Sequence, residues 1–146
     1  MRVDFYQLSR DPVDVTVGKL ARKVLQAGER LVVVAEDAEV REGLSQTLWG
    51  QGGGAFLANG PVDGPHASRQ PILLSADCAA PNDARMAILA DGKWREEATA
   101  FDRVMLLFDA DATDNARTLW RDLAARDAID NRIFKQTPEG GWREGR

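Results

Sequence analysis

The stretch "KLARKVLQAGERLVVVAED", residues 19–37, decides the fold class, because its apolar period changes midway. Val17 just before it, then Leu20, Ala21, Val24 and Leu25, recur at helical spacing, and Gly28 stops the run. "LVVVA" (Leu31–Ala35) is instead a short continuous apolar strand, of the kind buried on both faces. Upstream, Asp14 is the expected cap of the helix, and "VDFYQL" (Val3–Leu8) alternates as a first strand. Downstream, "EDAEVREGLSQTLWG" reads as a second helix lined by Val40, Leu44 and Leu48 and ended by Gly50.

From Gly50 to Pro71 the chain is rich in Gly and Pro, with at most one short strand around Phe56–Leu57. "ILLS" and "MAILAD" are further strands, and "KWREEATAFD" is a short amphipathic piece before the strand "RVMLLFD" (Arg103–Asp109). A helix at "NARTLWRDLAARD" (Asn115–Asp127) and a last strand at "NRIFKQ" follow, with "TPEGGWREGR" as a tail. Strand–helix alternation with all-apolar strands implies parallel crossovers under helices on both faces. The expectation is a single α/β domain over residues 1–146, three-layered, with a mostly parallel central sheet, Rossmann-like but without a phosphate-binding loop.

The totals agree with a soluble cytoplasmic chain of 146 residues, 44% hydrophobic and 29% charged. A net charge of −4 argues against a broad phosphate-holding surface. Cys78 is the only cysteine and His66 the only histidine, so neither a disulfide nor a metal site is expected. The N-terminal "MRVDFYQLSRD" lacks the apolar run of a signal peptide, and no run is long enough to span a membrane.

No catalytic constellation assembles. The first strand is followed by "SRDPVD" and not by G-x-G-x-x-G, and "GQGGG" follows a helix without a trailing Lys-Ser or Lys-Thr, so it reads as a flexible connection. His66 is the only imidazole that could activate a nucleophile and is expected in an exposed loop. Glu36 and Asp37 stand where α/β folds place functional carboxylates, and also where acids stabilise a helix start, the preferred role. Glu96 and Glu97 are expected to be solvated. No cofactor is expected. A nucleotide-dependent enzyme using Glu36 and Asp37 is the rival class, and direct single-stranded DNA binding by aromatic and basic residues is a third.

The helix at Asn115–Asp127 has an unusual edge. On a wheel of about 100° per residue, with Ala116 at zero, Leu119 and Leu123 form the core stripe. Trp120 lies at about 40° on the other side, and Arg117 and Arg121 at about 100° and 140°. The indole therefore sits between core and cations. Spacing alone favours Trp120 as core with the arginines lying over it; the other possibility is a receptor for something acidic and aromatic.

The chain resembles the chi subunit of bacterial DNA polymerase III nearly end to end. The matching pieces include "FYQL", "KLARKVLQAGERLVVVAED", "LSQTLWG", "AFLANG", "QPILLS", "ILADG", "FDRVMLLFD", "ARTLWRDL" and "FKQTPEGGW". The resemblance implies a non-catalytic accessory subunit that links the clamp loader, through the psi subunit, to single-stranded DNA-binding protein, with only indirect DNA contact. It further implies that Arg117, Trp120 and Arg121 grip the acidic C-terminal tail of that protein, with Phe56 and Phe108 helping to form the apolar pocket. Two positions depart from the family: Ala58 and Asn59 replace a frequent Pro-His, and Thr113 replaces a further basic residue, which implies weaker attraction.

Overall fold

The computed structural model describes residues 1–50 and 57–145. Its elements run β1 (Arg2–Gln7), α1 (Val13–Gln26), β2 (Leu31–Val34), α2 (Ala38–Trp49), β3 (Asn59–Pro61), β4 (Ile72–Ser75), β5 (Met86–Leu89), β6 (Arg103–Phe108), α3 (Thr113–Ala124), β7 (Asp130–Gln136) and β8 (Trp142–Gly145). Short 3-10 turns stand at Ala67–Arg69, Glu96–Ala100 and Ala110–Ala112. One sheet runs β3-β4-β2-β5-β6-β1-β7-β8, parallel at each pairing except the antiparallel β7–β8. The α/β class with a mostly parallel sheet is as expected.

Each sheet face carries its own core. Tyr6, Leu31, Val33, Ile88, Met105 and Leu107 pack with Leu20, Ala21 and Val24 of α1 and Leu44 and Leu48 of α2. Val3, Phe5, Val32, Val34, Leu89, Val104, Leu106 and Phe108 pack instead with Ala116 and Leu123 of α3 and with Ala98 and Phe101. This two-sided burial explains the unbroken apolar run of β2, where Leu31–Val34 are fully buried. Among the described residues, no helix is long and apolar enough to cross a membrane.

Several local expectations are corrected. Pro12, not Asp14, stands at the α1 cap, its carbonyl accepting from Thr16 N and Oγ1. Asp14 lies inside the first turn and accepts from Thr47 Oγ1 at 2.9 Å, tying α1 to α2. Val40 is 43% exposed, so the buried stripe of α2 begins at Leu44. A short strand stands at Asn59–Pro61, just past the expected place; Phe56 and most of "GQGGG" lie outside the described residues. Asn59 is buried there because its Oδ1 accepts from Ser45 Oγ at 2.6 Å and its Nδ2 donates to Leu57 O.

The expected tail is a strand. A turn closed by Thr137 N to Gly141 O, with Gly140 at φ +90°, returns the chain along β7. Trp142 anchors β8 by packing edge-on against Tyr6 at 5.0 Å, and Tyr6 stacks on Phe134 at 5.0 Å. α3 also starts at Thr113 and ends at Ala124, earlier at both ends than Asn115–Asp127.

Candidate functional site

The carboxyl ends of parallel strands are where α/β folds usually hold ligands, and three places there were singled out by the sequence. At the end of β1, the backbone N–H groups of Ser9, Arg10 and Asp11 converge as a phosphate-holding loop would. All three donate to one atom of the chain itself, Gln136 Oε1, at 3.2, 2.8 and 3.0 Å. Gln136 Nε2 in turn donates to Asp11 Oδ2 at 3.0 Å. The loop amides are thus satisfied from within by a β7 side chain.

At the end of β2, Asp37 caps α2 by accepting from Glu39 N at 2.8 Å, and Glu36 pairs with Lys93 at 2.7 Å. The Lys93 ammonium holds the Glu36 carboxyl below its ordinary range. Asp91 grips Arg95 through both oxygens, at 2.9 and 2.8 Å. Burial pushes Asp91 up, but the guanidinium and the N–H groups of Glu36 and Lys93 outweigh it and hold the carboxyl low. Among the described residues, no group of three His, Cys, Asp or Glu could hold a metal ion. His66 is exposed.

Glu96 is exposed, as expected, and is also engaged. Arg126 Nη1 and Nη2 donate to its two oxygens at 2.8 and 2.7 Å, and Trp94 Nε1 donates at 3.0 Å. These donors, Arg126 first, lower its carboxyl to about 2. A carboxylate held below its unfolded value stabilises the fold fully above about 4.5, and that contribution disappears as pH falls towards 2. In a carbon-detected NMR titration Glu96 should therefore titrate near 2, and Arg126→Ala should return it towards the ordinary range.

The third place is a cavity of about 330 Å³ beneath the first half of α3. β1, β6 and β7 supply its floor and rim in register: Phe5 faces Leu106 and Ile133, and Gln7 faces Phe108 and Lys135. Thr113, Ala116, Arg117 and Trp120 of α3 form the wall. Phe5 is the hinge of its aromatic lining, edge-on to Trp120 at 5.1 Å and to Phe108 at 6.4 Å. Trp120 is half-buried, and its backbone carbonyl accepts from Asn131 Nδ2 at 3.1 Å, which fixes α3 against β7. The wheel placed the indole correctly between core and cations.

Of the expected site residues, Arg117, Trp120 and Phe108 come together here. Arg121 does not line the cavity and is exposed on the same helix. Phe56 lies outside the described residues. Phe5, Gln7, Ile133 and Lys135 were missed. Alternation along "VDFYQ" and "NRIFKQ" puts each pair on one strand face, but only strand order and register bring β1, β6 and β7 side by side. Arg117 and Lys135 are exposed and form no ion pair among the described residues. The arrangement is an aromatic cleft with one cation from its α3 wall and another from β7.

A family model described as DNA polymerase III chi subunit, HolC, matches residues 1–129 and so ends at the threshold of β7. A relative named "Probable DNA polymerase III subunit chi", from Rickettsia prowazekii (strain Madrid E), is 22% identical over 146 residues, spanning 94% of this chain and 87% of that protein.

Proposed function

The chain belongs to the DNA polymerase III chi subunit family, and from that premise we propose a non-catalytic accessory subunit whose α3 cavity binds the acidic C-terminal tail of single-stranded DNA-binding protein. In this reading it links that protein to the clamp loader, with the psi subunit as its other partner and DNA contacted only indirectly.

The observation that carries the reading is the aromatic cleft of Phe5, Phe108 and Trp120 with Arg117, in no ion pair among the described residues, on its α3 wall. A chain end bearing an aromatic ring and its own carboxylate matches both features. Burying the ring contributes about 1.5–3 kcal/mol. A charge-assisted bond to the carboxylate adds roughly 1.5–3 kcal/mol. Exposed Arg121 lies one helical turn on from Arg117 and adds about 0–1 kcal/mol as a peripheral charge. Phe56 remains a candidate wall residue. Ordering the tail offsets part of the total, so micromolar affinity, about −8 kcal/mol, is expected.

The test is titration of a labelled peptide carrying an acidic stretch and an Asp-Phe end. Binding should be micromolar, weaken with salt, and largely vanish when the final aromatic residue is removed. Affinity indifferent to that residue would sink the assignment. The plugging of the β1 loop by Gln136 weighs against the nucleotide-dependent alternative, so ATP or NAD should leave the melting temperature unchanged.

A further inference from the structure

We infer that Lys135 is a second specificity-determining cation of this cavity, reading an acidic side chain one to three residues before the end of the bound chain while Arg117 takes the terminal carboxylate. The inference rests on the tail-binding reading above.

Thr113 leaves α3 with one cation on the cavity, Arg117, and the other comes from β7. Phe108, Gln7 and Lys135 form one in-register row across β6, β1 and β7. Neighbouring strands lie about 4.8 Å apart, so the row spans about 10 Å, the advance of about three extended residues. A terminal residue carries its ring and its carboxylate on one Cα. With the ring between Phe108 and Trp120, that carboxylate falls beside Arg117, three residues before Trp120 on the same helix face. Lys135, two strands away from Phe108 in the same row, is left for a charge further back along the ligand. Gln7, between them, makes no side-chain hydrogen bond among the described residues and can hold a peptide group. The bound chain therefore runs from β7 towards α3, with its end at Arg117.

Coupling between protein and peptide changes tests this direction, using the full chain. Lys135→Gln should weaken the unmodified peptide about two- to fivefold, as expected of an exposed pair. The same substitution should have no effect on a peptide whose three residues before the final aromatic carry no acid. On a C-terminally amidated peptide the Lys135→Gln effect should persist, while the effect of Arg117→Gln shrinks. No effect of Lys135→Gln on the unmodified peptide overturns the inference and leaves the tail-binding reading standing. So does an effect lost on amidation and kept without the acids. Failure of the unaltered protein to bind the unmodified peptide overturns both. Lys135 is exposed and in no ion pair among the described residues, so an unchanged melting temperature confirms that each variant is folded.

Discussion

Arg117→Glu should reduce affinity for the acidic-aromatic peptide by about a hundredfold. Removing a charge-assisted bond worth roughly 1.5–3 kcal/mol accounts for about ten- to a hundredfold, and reversing the charge adds repulsion against the tail. Arg117 lines the cavity, is exposed, and pairs with no acid among the described residues, so the substitution leaves no buried group orphaned. The melting temperature should hold within about a degree or two, as for other surface changes. Arg121→Glu is the internal control. It should weaken binding only several-fold and do so mainly at low salt, because Arg121 stands outside the cavity. Equal losses at both positions would mean that the ligand lies along the outer face of α3 instead of in the cleft. Isothermal titration at two salt concentrations separates these outcomes.

Asp4→Asn should destabilise the protein by about 3 kcal/mol without touching peptide affinity. Asp4 is fully buried on the α1 face of β1, and it accepts from Arg2 Nε and Arg103 Nε at 2.7 Å each. Arg103 also donates to Tyr6 Oη at 3.2 Å, so one carboxylate organises the amino ends of two adjacent strands. Breaking a buried ion pair at one partner typically costs 3–5 kcal/mol. The lower end applies because the side chains of Arg2 and Arg103 remain 32% and 28% exposed and keep water. A loss of that size lowers the melting temperature by about 6–12 °C in a chain of this length. Urea denaturation should show a lower midpoint at unchanged slope. The α3 cavity lies on the opposite face, so reduced peptide binding by the folded variant would contradict the independence of the two cores.

The contrast between these residues also separates what could be read early from what could not. The period change between Val24 and Leu31 is a local property, and it sufficed to place α1, β2 and the two-faced burial of a parallel sheet. The wheel around Ala116 likewise put Trp120 at the junction of core and cations, because helical geometry is fixed within a dozen residues. Asp4, by contrast, reads as a polar position in an alternating strand. Its burial follows from Arg103, ninety-nine residues away, arriving in the adjacent strand.

Sequence alone determined the strand–helix alternation, the lack of a phosphate-binding motif and the cation–aromatic edge of α3, since each depends on residues within one or two turns of each other. Tertiary structure decided that Arg117 lines a cavity and Arg121 does not, that Gln136 fills the loop after β1, and that "WREG" adds an edge strand as β8. It also decided that a lysine on β7 lines the same cavity as an arginine on α3. Those outcomes depend on β1 lying between β6 and β7, a long-range pairing set by the order in which parallel crossovers stack their apolar faces and not by any local pattern.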